Sequence, residues 1–227
     1  MNRKKRIAIY GGTFDPVHLG HLEVARKVCE LFEIDELLFV PARMAPHKLT
    51  AEVTAAIHRH AMLVLATQNE PRLYVSTFEI EAEDRRYTVE TLSHFKARFG
   101  DDADLFFVMG ADSWSEIRTW RQWEQLLEMV NQIVVTRPGS NVDLDIVTQA
   151  LRARILDLRG AKEPSKFVSQ SEGAKIFITD AVMFYVSATE IRRAVREEKL
   201  DQLNKLVPLP VAQYIKKYQL YKESNET

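Results

Sequence analysis

The chain has 227 residues, 46% of them hydrophobic, which suits one larger domain, or a domain with a small appendage, around a substantial core. Its 31 basic residues nearly balance 32 acidic ones, which argues against a broad nucleic-acid-binding face; a polyanionic substrate would need positive charge concentrated locally. A single cysteine, Cys29, excludes an internal disulfide and a cysteine zinc cluster, and no apolar run approaches the length of a bilayer span.

The basic start Arg3-Lys4-Lys5-Arg6 leads into a strand-length apolar run rather than a signal-peptide core, so a cytoplasmic, membrane-free protein is expected. That run, Ile7-Ala8-Ile9-Tyr10, reads as a buried first strand. Gly11-Gly12 then permits a sharp turn and close approach of main chain to a ligand. Asp15-Pro16 is a natural place to start a helix, and His18 and His21, three residues apart, share a face of its first turn. A glycine turn and two imidazoles at the positive end of a helix suit a polyphosphate.

The helix runs from about His18 to Phe32, with Leu19, Leu22, Ala25, Val28, Cys29 and Phe32 as its apolar stripe; Cys29 is core filler. Glu36 to Val40 reads as a second strand. The loop beyond it, Pro41 to Lys48, carries His47 and Lys48 as cationic donors, although a solvated charged loop accounts for the same residues. A second helix covers Thr54 to Thr67; His58 and His60 point to different faces of it and read as solvated. Tyr74 to Ser76 is a short strand. Thr88 to Phe99 is a third helix, with Thr88 as N-cap and free amides that suit a carboxylate or phosphate.

Asp104 to Met109 is a continuous apolar strand ending at Gly110, which delivers Asp112 to the same edge as His18. Trp120 can stack on a flat aromatic ring, whereas Trp114 and Trp123 read as packing. After a short helix with Leu126 and Leu127, Gln132 to Val135 forms a strand closing at Arg137-Pro138-Gly139, where Arg137 is either a nucleotide contact or part of a simple turn. Arg159 to Gly173 reads as a mobile surface loop, and Lys175 to Thr179 as the last strand. Ser187 caps a helix to Lys199, with Glu190 completing a capping box. A turn to Leu206 and a helix from Pro208 to Tyr218 follow. This alternation predicts an α/β fold with a doubly wound parallel sheet, whose ligands bind beyond the carboxyl ends of the strands where their order reverses.

Gly11-Gly12-Thr13-Phe14-Asp15-Pro16-Val17-His18-Leu19-Gly20-His21 resembles the H-x-G-H nucleotidyltransferases, and most closely their nicotinate-nucleotide adenylyltransferase branch. Four more segments resemble that family in order: the Pro-His-Lys loop at 46–48, Tyr87-Thr88, Gly110-x-Asp112 followed by Trp120, and Val186-Ser187-Ala188-Thr189-Glu190-Ile191-Arg192. Ala45, Ala82, Arg86 and Ala188 depart from the family's usual residues. The resemblance implies a Rossmann-like domain over 1–185 and a small C-terminal helical region over 186–227 that completes an ATP site. It implies adenylyl transfer from ATP to nicotinate mononucleotide, giving nicotinate adenine dinucleotide and pyrophosphate.

In that reading His18 and His21 are the catalytic donors, most effective if one is protonated. Gly11, Gly12, Thr13, Phe14, Lys48, Ser187, Thr189 and Arg192 join them at ATP. His47, Thr88, Asp112, Trp120 and Arg137 hold the mononucleotide. Mg²⁺ would come with ATP through phosphate oxygens, with no metal ligand from the protein. A nicotinamide mononucleotide acceptor and a non-catalytic nucleotide-binding regulator are the alternatives, and the sequence leaves a homo-oligomer open.

Overall fold

A computed structural model describes residues 3–44, 53–136, 142–168, 173–180 and 186–222. Seven strands form a single sheet: β1 (Lys5–Gly12), β2 (Glu36–Pro41), β3 (Leu73–Val75), β4 (Ala103–Gly110), β5 (Asn131–Val135), β6 (Ile155–Asp157) and β7 (Ile176–Thr179). All the pairings are parallel, in the order β3-β2-β1-β4-β5-β7-β6. The chain thus builds outward from β1 to one side, returns, and builds outward from β4 to the other. The β1–β4 seam is the point of reversal, and a crevice opens beyond it at the carboxyl edge.

The strands are apolar on both sides because helices cover both faces. In β4, Phe106 and Val108 join one apolar cluster while Leu105, Phe107 and Met109 join the other. The first cluster also takes in α1 (Leu19–Leu31) and α2 (Ala56–Thr67), and the second takes in α3 (Thr88–Phe99), α4 (Ala111–Ser115) and α5 (Trp123–Met129). Two short helices, α6 (Gln149–Arg152) and α7 (Ser165–Val168), flank β6. The chain then closes with α8 (Ala188–Arg196), α9 (Leu200–Leu206) and α10 (Leu209–Lys217), whose Ile191, Leu203, Val211 and Ile215 are buried in the first cluster. Among the described residues no helix is long and apolar enough to cross a membrane.

Several expectations need correction. The first helix does not begin at Asp15-Pro16: His18 is its N-cap, and Asp15 is buried, accepting hydrogen bonds instead of opening a turn. Tyr87, not Thr88, caps α3, because Glu90 accepts the Tyr87 amide at 3.0 Å. The 159–173 segment is not simply a surface loop. Leu158 and Val168 are buried, α7 lies within the segment, and Ser165 donates to Glu33 at 3.2 Å. The strand before it, β6, escapes notice because two apolar residues between arginines and aspartates carry no periodicity; pairing with β7 supplies the missing stabilisation. The turn before Leu206 is the helix α9. His58 is not solvated: its Nδ1 lies 2.9 Å from the Tyr214 hydroxyl and its ring packs on Tyr214 and Tyr218, docking α10 against α2.

At the end of β1, Gly12 is required by packing. A Cβ there would lie 2.9 Å from the Phe14 ring, which is itself packed edge-on against Tyr10, Phe39 and His21. Gly12→Ala should therefore lower unfolding free energy by about 1–3 kcal/mol through overpacking. Denaturant unfolding checks this, and an unchanged midpoint would show that the Phe14 ring yields.

Candidate active site

Two groups of residues flank the carboxyl edge of β1, one on each face of the sheet. On the α1 face, the His18 and His21 rings stack with centroids 3.6 Å apart and planes 21° from parallel. Each imidazole accepts from the other's main chain: His21 N–H donates to His18 Nδ1 and His18 N–H donates to His21 Nδ1, both at 3.3 Å. This reciprocal cap gives the His18 amide its acceptor and adds to the 3.0 Å bond that the His21 amide makes to the His18 carbonyl. It also fixes the neutral tautomers, since an accepting Nδ1 leaves the proton on Nε2.

Burial pushes the His18 imidazole down to about 4, and burial together with the neighbouring His18 holds His21 well below its usual range. Both shifts favour neutral rings at pH 7 in the free protein. What they offer is a pair of Nε2–H groups in a water-poor setting of Tyr10, Phe14 and Phe39. Phe14 itself has a buried side chain and a positive φ of 50°, so only its main chain is available to a ligand.

The N-terminus of α8 belongs to the same side. Ser187 caps it, its Oγ accepting the Glu190 amide at 3.1 Å. The box is only half made, because the Glu190 carboxylate instead accepts from Gln202 at 3.3 Å. Arg192 donates to the main-chain carbonyl of Asp15 at 2.7 Å and to Thr189 Oγ1 at 3.3 Å, which brings α8 against the turn after β1. Asp15 also accepts from the Tyr221 hydroxyl at 2.8 Å and from the Thr54 amide at 3.3 Å.

On the other face lies a cavity of about 270 Å³. Gly11, Gly12 and Thr13, expected at ATP, line it together with Thr88 and Trp120, expected at the mononucleotide, with Phe107 and Ile9 as its apolar wall. The Trp120 ring meets Phe107 edge-on at 6.2 Å, and its Nε1 is buried without a hydrogen-bond partner among the described residues. Asp112 stands elsewhere: it is exposed, and its neighbour Ser113 lines the cavity.

The sequence reading overlooked much of this lining. Arg85, Arg86 and Arg121 all contribute, Arg85 and Arg121 lying over the Tyr87 ring at 5.0 and 4.7 Å and Arg86 over Phe78 at 4.7 Å. Glu79 also reaches the cavity; burial raises its carboxyl above the ordinary value despite a 2.7 Å hydrogen bond from Thr91. The signal for the arginines was the run Arg85-Arg86-Tyr87 ahead of a helix start. Glu79 offered none. His47, Lys48 and Arg137 lie outside the described residues.

A family model described as cytidylyltransferase-like matches residues 9–194. The chain belongs to that family. Among curated cytidylyltransferase-like relatives, a Thermoanaerobacter protein named "Probable nicotinate-nucleotide adenylyltransferase" is 37% identical over 226 residues, covering 100% of this chain and 99% of its own. A protein of the same name from Citrifermentans bemidjiense is 36% identical, with 95% and 98% coverage. In fold, the chain is similar to the nicotinic acid mononucleotide adenylyltransferase of Plasmodium falciparum solved in complex with NaAD. The TM-score is 0.71 at 22% identity, over 96% of this chain and 97% of that one.

The buried imidazoles make a pH signature. Because folding keeps His18 neutral, unfolding takes up a proton between the two pKa values. Stability should be complete above pH 6.5 and fall as pH drops, levelling off below about 4, with about 3 kcal/mol lost through His18. His18→Asn keeps an N-cap acceptor and removes the titration, so its stability-against-pH curve should be flatter by that amount. Superimposable curves would show that His18 does not titrate across this window.

Proposed function

We infer that this cytidylyltransferase-like chain transfers the adenylyl group of ATP to nicotinate mononucleotide, forming nicotinate adenine dinucleotide and pyrophosphate. One observation carries the reading. A stacked pair of imidazole donors on one face of the sheet and an arginine-lined cavity on the other meet only across Gly11–Thr13, at the reversal of strand order. The full-length similarity to proteins of that name supports the choice of substrates.

The chemistry follows from the substrates. An oxygen of the mononucleotide 5′-phosphate, already anionic, attacks the α-phosphorus of ATP in line. The new P–O bond forms as the bond from the α-phosphorus to the bridging oxygen breaks, and pyrophosphate leaves with that electron pair. No general base and no covalent enzyme intermediate are needed. The protein's contribution is alignment and stabilisation of charge on the α-phosphate and departing pyrophosphate.

His18 and His21 supply their Nε2–H groups to those oxygens. The negative charge of the triphosphate would raise both imidazoles toward protonation, so binding itself strengthens the donors. The N-terminus of α8, with Ser187, Thr189 and Arg192, suits the β- and γ-phosphates, with Lys48 joining from the loop after β2. Gly11 to Phe14 supply main chain close to ATP. Thr88 and Trp120 receive the mononucleotide, with His47, Asp112 and Arg137 as the further contacts the family resemblance implies. The cavity's three arginines against one carboxylate favour an acidic pyridine ring over an amide.

Among the described residues no three His, Cys, Asp or Glu side chains cluster to hold a metal ion. The residues present fit a Mg²⁺ that arrives on phosphate oxygens, where it would neutralise charge on the triphosphate.

Pyrophosphate release should require both ATP and nicotinate mononucleotide, with nicotinamide mononucleotide slower. ATP binding without release on any acceptor would overturn the reading in favour of a regulator. His18→Ala should lose at least ~10²-fold in turnover, the scale of one electrostatic donor. A correctly folded variant with normal turnover would remove His18 from the mechanism. Trp120→Ala should raise KM for the mononucleotide well above any change for ATP, and equal changes in both would end the stacking role.

A further inference from the structure

Arg59 is fully buried in the middle of α2, on the same face as Met62, Leu63 and Ala66. Burial draws its guanidinium below its usual value. Its partners are four main-chain carbonyls: Thr13 and Ala42 at 2.6 Å each, Thr54 at 2.8 Å and Arg43 at 3.1 Å. These carbonyls come from the two segments that leave β1 and β2 at the ligand edge, and from the entry to α2.

Their position in the sheet gives the arrangement meaning. The β1–β2 register ends at Gly12 opposite Pro41, and the last main-chain link between the strands is Ala42 N–H to Gly12 O at 2.9 Å. Beyond it the two segments part, one toward His18 and the other past the cavity-lining Ala42 and Met44. The guanidinium takes up the next carbonyl on each side, so one rigid planar group continues the ladder where the strands no longer can. A buried charge hydrogen-bonded to carbonyls, with the Asp15 carboxylate favouring it from nearby, is a demanding feature to place in an apolar helix face, and it loses stabilisation if either segment moves away.

We propose that Arg59 is a positioning residue that fixes the distance between Thr13, in the turn after β1, and the 42–44 stretch after β2, where it lines the cavity. It touches neither substrate. It acts through Thr13 on one side and Ala42 and Arg43 on the other, and so sets the alignment of the acceptor phosphate with the α-phosphorus. This rests on the adenylyl-transfer reading for its kinetic consequence but not for its structural one.

The test uses Arg59→Lys, whose ammonium cannot span the four carbonyls as a planar fork does. The dissociation constant of a non-hydrolysable ATP analogue alone, and that of nicotinate mononucleotide alone, should stay within about threefold of wild type, because each loop still binds its own ligand. Turnover should fall about 10²-fold, the scale of an ångström-level misalignment. Hydrogen exchange should accelerate in peptides covering 11–17 and 41–44 together, with 103–110 unchanged. In Arg59→Ala, added guanidinium should restore part of the lost turnover; if that variant does not fold, the lysine variant decides. Wild-type turnover in folded Arg59→Lys, or loss of turnover fully matched by weaker single-substrate binding, would overturn the proposal. If wild type itself releases no pyrophosphate, the functional reading falls. The exchange data then decide the clamp alone: faster exchange at both loops upholds it and unchanged exchange ends it.

Discussion

The reversal of strand order at β1 and β4 is the constraint on which the rest of the molecule depends. Parallel strands need crossovers, and crossovers that go outward on both sides of a seam leave no connection across the carboxyl edge at that seam. The open edge must then be finished by loops. Here the turn after β1 serves both faces at once, because Gly11 and Gly12 line the cavity while the residues a few steps on begin α1. A bulkier turn could not do this. Phe14 folds back over Gly12 into the core, which leaves the main chain of the turn as the only material between the two faces.

The electrostatics of that seam have an unusual balance. His18 is buried and His21 half-buried beside it, and their surroundings push both imidazoles toward the neutral form in the free protein. Under the proposed function, a polyanion arriving at such a pair would give it both hydrogen bonds and protonation. On the opposite face the charges are permanent: guanidinium groups lie over Tyr87 and Phe78, with their planes held by aromatic contact rather than by ion pairs alone. One side of the edge is thus neutral in the free protein, and the other presents its charge beforehand.

Much of this was legible in the chain. The doubly apolar runs at Ile7–Tyr10 and Asp104–Met109 marked central strands, because only a sheet covered on both faces tolerates them. The glycine turn and the histidine spacing marked the ligand edge. What escaped depends on tertiary context. β6 exists because β7 is beside it, and its three residues carry no pattern of their own. Asp112 sits next to the right strand end, but α4 turns it outward and presents Ser113 to the cavity. Arg59 left a trace: it falls in the i, i+3, i+4, i+7 series with Met62, Leu63 and Ala66, where an apolar residue would be ordinary. A lone arginine on such a face is a sign of a buried charge with partners elsewhere in the chain.

Asp15 shows how the turn after β1 is tied to segments distant in sequence. Its carbonyl accepts from Arg192 of α8, while its carboxylate accepts from the Thr54 amide ahead of α2 and from the Tyr221 hydroxyl beyond α10. Three segments distant in sequence therefore converge on one residue, as Arg59 converges on Thr13 two positions earlier. With one carboxylate oxygen accepting from an amide and the other from a phenol, Asp15 is a structural junction rather than a vacant ligand, despite its place beside the two histidines. The same junction ties α8 and the segment beyond α10 to the turn after β1.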